Sequence, residues 1–164
     1  MRYGDITVVV PVKDRFNLLQ LALNSINNQS LLPRLVIIID DASTKKIKLN
    51  KKYKFKYKLL RNKKNIGVSV SRNIGIKLCK TKYISFVDTD DIWLKKKLKL
   101  QYDLAEKNKL DFVYCNYKNS KSKKGRTEDN KEIFKRLVNF WSNPNCSSIF
   151  FKNKSLKKIG CFDA

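Results

Sequence analysis

Tyr83-Ile84-Ser85-Phe86-Val87-Asp88-Thr89-Asp90-Asp91 runs from a short apolar stretch, β-branched and aromatic, straight into three carboxylates within four positions. Leu35-Val36-Ile37-Ile38-Ile39-Asp40-Asp41 repeats the arrangement with two. Neither apolar run shows the polar alternation of a half-exposed antiparallel strand, so both read as strands buried on two faces. The acids then fall at strand C-terminal ends, the edge at which open α/β sheets bind ligands. The chain carries 37 Lys and Arg against 14 Asp and Glu, a formal net charge of +23, so this gathering of five acids asks for a chemical reason.

Outward from these runs, strands and helices alternate. Ile6 to Val10 predicts a first strand, and Leu18, Leu19, Ala22, Leu23 and Ile26 recur at helical spacing over 16–28, with Asp14 or Asn17 as cap. A lysine-rich connection follows the second strand and leads to a third over Tyr57 to Leu60. Asn65-Ile66-Gly67 reads as a turn into a helix bearing Val68, Ser71, Ile74, Gly75 and Leu78, where Gly75 implies close packing on the sheet. After Val87 the pattern predicts a helix over 94–108, with Leu94, Leu98, Tyr102 and Ala105 on one face, and a strand over 112–115. Residues 118–130 read as a polar, mobile loop, followed by a helix over 132–141, a strand over 148–151 and a short helix over 155–159. The expected fold is α/β, a mainly parallel central sheet flanked by helices on both faces.

Composition narrows the chemistry. At 164 residues and 42% hydrophobic the chain supports one globular domain with a substantial core. No apolar stretch is long enough to span a bilayer and the first strand begins almost at once, so the expectation is a soluble, cytoplasmic protein. Cys79, Cys115, Cys146 and Cys161 form no metal-ligand spacing and read as buried, reduced thiols. With no histidine in the chain, hydrolase mechanisms that rely on an imidazole base are excluded. The lysines are spread along the sequence and read as a solvated surface, with no specific nucleic-acid site but with room for peripheral contact with an anionic membrane, such as an inner membrane surface.

Three carboxylates at one strand end repel one another unless a cation compensates. Oxygen-only ligands without His or Cys favour Mg²⁺ or Mn²⁺ over zinc, and Mg²⁺ commonly combines one or two carboxylates with substrate phosphates. An acidic turn capping the next helix is the plainer alternative, and for Asp91 capping and metal contact stand level.

The motifs together carry a resemblance. Pro11-Val12-Lys13-Asp14-Arg15, Ile38-Ile39-Asp40-Asp41-Ala42-Ser43, Asn65-Ile66-Gly67-Val68-Ser69-Val70-Ser71-Arg72-Asn73 and Phe86-Val87-Asp88-Thr89-Asp90-Asp91-Ile92-Trp93-Leu94 resemble, in order and spacing, the successive motifs of family 2 glycosyltransferases. Cys146 to Phe151 and Gly160-Cys161-Phe162-Asp163 resemble the family's later strand and its Gly-Gly-Phe-Asp turn. The resemblance implies a glycosyltransferase A-type fold in one domain, residues 1–115 holding a nucleotide diphosphate sugar and 116–164 beginning the acceptor side.

It also implies roles. Pro11, Val12 and Asp14 would border the nucleoside, Asp41 would accept a hydrogen bond from the base, usually uracil, and Asn65, Gly67 and Arg72 would shape the wall beside base and ribose. Asp88 would face the ribose and sugar, and Asp90 would bind a Mn²⁺ or Mg²⁺ ion bridging the diphosphate, with Asp88 and Asp91 as further candidate ligands. The implied reaction is inverting transfer from a UDP-sugar to a hydroxyl of a glycan or lipid-linked acceptor. Trp141 reads as a core residue or a stacking platform for an acceptor sugar.

The chain departs from the family at Cys161 and Ala164, where Gly and Glu are usual. The family's general base lies beyond the Gly-Gly-Phe-Asp turn, so the resemblance places it past Ala164. A chain lacking that part would bind donor yet transfer slowly. A nucleotidyltransferase is the nearest alternative enzyme, but its glycine-rich phosphate loop is missing from Pro11 to Arg15. An Asp-nucleophile phosphatase would carry its Asp-x-Asp after the first strand, and a basic nucleic-acid-binding module is the non-enzymatic alternative.

Overall fold

A computed structural model of the chain describes residues 2–117 and 145–163. Six strands, four α-helices and one 3-10 turn (Cys146–Ser148) run through them: β1 (Tyr3–Val12), α1 (Phe16–Asn27), β2 (Leu32–Asp40), β3 (Lys56–Arg61), α2 (Val68–Leu78), β4 (Tyr83–Phe86), α3 (Lys97–Asn108), β5 (Phe112–Tyr114), β6 (Ile149–Lys152) and α4 (Asn153–Ile159). The predicted loop over 118–130, the helix over 132–141 and Trp141 lie outside the described residues.

The strands form one six-stranded sheet in the order β3-β2-β1-β4-β6-β5. β1 runs parallel to both β2 and β4, and β2 parallel to β3. β6 enters antiparallel between β4 and β5, Ile84 opposite Phe151 and Val113 opposite Phe150. The sheet is thus parallel through its first half and mixed in its second.

Side-chain alternation along β1 explains the two helical layers. Ile6, Val8 and Val10 face a core with Leu19, Leu23 and Ile26 of α1 and Leu98 and Ala105 of α3. Val9 points the other way, onto Ile76 of α2 and Leu156 of α4. Gly75 of α2 lies so close to β1 that a Cβ there would come within 2.4 Å and 2.6 Å of the two methyls of Val9. The long connection between β2 and β3 has no regular structure, yet Ile47, Tyr53 and Phe55 are buried and pin it to the first core.

Several boundaries shift for tertiary reasons. α1 starts at Phe16 with Arg15 as its first flanking residue and no side-chain cap, because the Asp14 carboxylate accepts instead from the Thr44 N–H at 2.6 Å. α3 begins at Lys97 rather than Leu94, and Leu94 is 83% exposed where the helical pattern placed it on the buried face. Trp93 is the residue that goes inside, its Nε1–H donating to the Ser147 carbonyl at 2.9 Å. All four cysteines are free, but only Cys79 is buried and Cys161 is exposed, so the reading of four buried thiols holds for one.

Candidate functional site

Because β2 and β4 lie on opposite sides of β1, the strand order reverses at β1, and a crevice opens there at the strand C-terminal ends. A cleft of about 490 Å³ occupies it, lined by Pro11, Val12, Lys13 and Arg15 after β1, Asp41 after β2, Asn65, Gly67, Val68, Ser71 and Arg72 around the start of α2, and Asp88, Thr89 and Asp90 after β4. Both acidic stretches reach this one cleft.

Asp40 ends β2 and is 1% exposed. Its carboxylate takes Arg61 Nη1 at 2.6 Å and the Ser43 N–H at 2.9 Å, closing the turn after the strand. That turn carries Ala42 at φ 56°, a left-handed residue. Asp41 faces the cleft wall and is nearly as buried, at 5%. Its Oδ1 accepts from Asn62 Nδ2 and the Ile66 N–H, and its Oδ2 from the Gly67 N–H, each at 2.9 Å. A carboxylate offers about four acceptor positions, so these three leave one on Oδ2. Gly67 precedes α2 at φ 88° and ψ 160°, backbone that only glycine adopts at low cost. A Cβ there would meet nothing within 4 Å.

Arg72 lies one turn into α2 and is 9% exposed, not a surface residue. Its Nη2 donates to Asp88 Oδ1 at 2.6 Å, while its guanidinium carbon sits 5.3 Å from the centroid of the Phe162 ring. Phe162 is held there by Asn73, which donates to its carbonyl at 2.8 Å and accepts from its N–H at 2.9 Å. The Gly160–Asp163 turn therefore braces α2 and orients Arg72 toward the cleft. Sequence reasoning did not find this use of Asn73, because the partners are 89 positions apart.

The three acids after β4 do not converge. Asp88 is paired with Arg72, and its N–H donates to Ser147 Oγ at 2.9 Å. Asp90 meets Arg15 Nη1 at 3.0 Å, and Asp91 accepts from Asn145 Nδ2 at 3.2 Å. Among the described residues no group of three His, Cys, Asp or Glu side chains is disposed to hold a metal ion. The expected mutual repulsion is relieved by arginine and amide partners on other elements. Asp91 does not cap α3, which begins six positions later.

Of the residues singled out from sequence, Pro11, Val12, Asp41, Asn65, Gly67, Arg72, Asp88 and Asp90 line the cleft. Asp14 is not among the lining residues: it sits at φ 52° and turns its carboxylate to Thr44, tying the loop after β1 to the loop after β2. Asp91 likewise faces Asn145 rather than the cleft. Lys13 and Arg15 line the cleft and were missed, since one basic residue more in so basic a chain carries no signal.

The second half of the sheet is tied to this edge by a buried amine. Lys97 Nζ lies 3.9 Å from the Trp93 ring centroid and donates to Gln101 Oε1 at 2.8 Å, while Gln101 Nε2 donates to the Ser148 carbonyl at 2.8 Å. Burial pulls the Lys97 ammonium down to about 7, with Cys115 opposing. Burial also pushes the Cys115 and Cys146 thiols up, so neither offers a ready thiolate nucleophile at neutral pH.

The fold and cleft define a class: an α/β domain that places acidic and basic side chains at the C-terminal edge of a sheet whose strand order reverses at β1. The model of the family Glycosyl transferase family 2 matches residues 7–163, and the chain belongs to that family. It is 36% identical over 119 residues to an uncharacterized glycosyltransferase of Rickettsia bellii, covering 71% of this chain and 17% of that protein. It is 27% identical over 114 residues to the Escherichia coli UDP-Glc:alpha-D-GlcNAc-diphosphoundecaprenol beta-1,3-glucosyltransferase WfgD, covering 68% of this chain and 45% of that protein. The solved structure of Staphylococcus aureus TarS 1–349 superposes with a TM-score of 0.75 at 22% identity, over 97% of this chain and 49% of that one. The fold is accordingly the glycosyltransferase A type, and the chain spans less than half the length of these three proteins.

Proposed function

We propose that the cleft binds a nucleotide diphosphate sugar, a UDP-sugar, and that the chain is the donor-binding part of a metal-dependent, inverting glycosyltransferase. One observation carries the reading. A buried carboxylate with one acceptor position to spare, Asp41, shares a cleft with an exposed carboxylate, Asp90, and with the basic lip of Lys13 and Arg15. Such a site offers an acceptor to a base N–H at one end and cationic partners to a diphosphate at the other. α1 and α2 both start at cleft-lining residues, Arg15 and Gly67, without a side-chain cap, and the positive ends of both helices favour an anion. The donors named for the relatives agree, since the E. coli enzyme is named for UDP-Glc and TarS has been solved with UDP-GlcNAc.

On this reading Pro11 and Val12 border the nucleoside, Asp41 reads the base, and Asn65 and Gly67 leave room beside it. Asp14 acts from behind, fixing the loop that carries Lys13 and Arg15. Arg72 holds Asp88 toward the ribose and sugar. Enzymes of this family generally use a divalent metal. The residues fit Mn²⁺ or Mg²⁺ bound together with the diphosphate: Asp90 is a hard oxygen ligand, its side chain is 56% exposed, and its one described partner is a displaceable arginine. Asp90 would hold the ion, which supplies Lewis-acid stabilisation of the leaving diphosphate. Asp88 would be its nearest companion, and Asp91 is committed to Asn145.

Residues 1–115 then form the donor half, and 116–164 begin the acceptor side, where a glycan or lipid-linked hydroxyl would be deprotonated by a base outside the residues assigned here. Among the described residues no helix is long and apolar enough to cross a membrane. We place the domain in the cytoplasm at the inner membrane surface, its basic exterior meeting anionic lipid. Thermal unfolding with a panel of nucleotide sugars, with and without Mn²⁺, tests the reading. A UDP-sugar at one hundred times its dissociation constant stabilises by about 2.7 kcal/mol, which for a domain of this size is roughly 5 °C or more. No shift with any nucleotide, or shifts indifferent to Mn²⁺, would remove it.

A further inference from the structure

Three arginine–aspartate pairs stand at this end of the sheet, and they differ in kind. Arg61–Asp40 and Arg72–Asp88 each have a member whose side chain is 2% or 10% exposed, and they brace a turn and a helix. Arg15–Asp90 is 54% and 56% exposed and joins the loop after β1 to the loop after β4 across the cleft mouth. Exposed pairs of this kind hold little free energy, on the order of 0–1 kcal/mol. Its position, between two lining residues 75 positions apart, therefore reflects an exchangeable contact rather than a support.

We propose that Arg15 is a stand-in counter-ion for Asp90 and becomes a diphosphate ligand when the donor binds. This rests on the donor reading above and adds to it a residue and an order of events. A guanidinium and a divalent cation cannot both occupy the same carboxylate edge, because each needs the same oxygen lone pairs and their charges repel. Arrival of the ion on Asp90 therefore frees Arg15. The released fork carries paired N–H donors that match phosphate oxygens, and it stays at the amino end of α1 beside Lys13. The exchange moves no covalent bond and conserves charge. It makes metal and nucleotide bind with mutual reinforcement, since each takes one partner of a pair that the other also breaks. It also keeps metal affinity low in the absence of donor.

The test measures Mn²⁺ binding by electron paramagnetic resonance and UDP binding by calorimetry in wild type, Arg15→Gln, Arg15→Lys and Asp90→Asn. Arg15→Gln should bind Mn²⁺ alone several-fold more tightly than wild type. The same variant should bind UDP in saturating Mn²⁺ roughly tenfold more weakly, having lost a charged phosphate partner. Arg15→Lys should fall between, keeping the charge without the fork. Unchanged affinities in Arg15→Gln, or both weakened in parallel, overturn the inference while leaving the donor site standing. If Asp90→Asn leaves Mn²⁺-dependent UDP binding intact, the donor reading itself fails, which separates the two. Because the pair is exposed, all variants should unfold at the wild-type temperature; an Arg15 variant that does not is replaced by Arg15→Met, and Asp90→Asn, if it does not, by Asp90→Ser in the same comparison.

Discussion

Asp41 has a structural task beside the ligand role proposed for it. Three of its acceptor positions hold the Asn62 amide and the Ile66 and Gly67 N–H groups, and these bonds set the loop that opens α2. Replacing it by Ala strands the Ile66 N–H in a part-buried site and leaves the Gly67 N–H only its 3.3 Å bond to Asn65 Oδ1, an expected loss of roughly 1–3 kcal/mol in denaturant unfolding. Nucleotide affinity should fall with it, and a variant that unfolds like wild type would show that the three bonds contribute nothing net. Gly67 bears on the same loop. Gly67→Ala should cost about 1–3 kcal/mol through backbone strain alone, since the new methyl meets nothing within 4 Å. A ligand-free crystal structure of that variant with unchanged φ at position 67 and unchanged stability would contradict the strain argument.

At the scale of elements, α2 is pressed onto β1 at Gly75. Alanine there gains helix propensity of about 1 kcal/mol, but its Cβ would meet both methyls of Val9, at 2.4 Å and 2.6 Å. Overpacking of that kind costs roughly 1–3 kcal/mol, so a net loss is expected. Adding Val9→Ala should recover part of it, and an additive double variant would place the strain elsewhere. α3 supplies a pH dependence. Lys97 in the folded chain titrates near 7, well below its ordinary 10.5. Between those values the unfolded state binds a proton that the folded state lacks, so stability rises with pH through that window and is flat below it. Urea unfolding from pH 7 to 9 should show wild type gaining up to about 1.4 kcal/mol per unit relative to Lys97→Met. Parallel profiles would mean that Lys97 stays charged.

Much of this layer was legible in the residues. The apolar runs ending in Asp40 and Asp88, the helical spacing of α1 and the glycine of α2 each carry their own local signal, and all four fell where expected. What escaped was set by contacts between distant residues. Asp14 left the α1 cap for Thr44, Trp93 went inside at the expense of Leu94, and β6 turned antiparallel because of where it pairs. Of the cleft, the acids announced themselves as rare charges at strand ends. Lys13 and Arg15 did not, being two among 37 basic residues. The partners of Asp88, Asp90 and Asp91 lie on three other segments and exist only once the chain is folded.

For the whole molecule, the excess of +23 surrounds a cleft in which each acid already has a partner. Such a field would raise the local concentration of the proposed anionic donor and should make its binding weaken as salt is added. On the proposed donor reading the acidic residues, by contrast, would confer selectivity rather than attraction, Asp41 toward a base N–H and Asp90 toward a cation. That division is a proposal, and what supports it is the placement of both acidic stretches in one cleft at the edge where strand order reverses at β1. Calorimetric titration of UDP into the chain, in Mn²⁺ and then in a chelating buffer, with wild type and Asp90→Ala side by side, tests it most directly. The account predicts binding by wild type in Mn²⁺ that is lost on chelation and lost again in Asp90→Ala. Binding of equal strength in all four titrations, or in none, would contradict it.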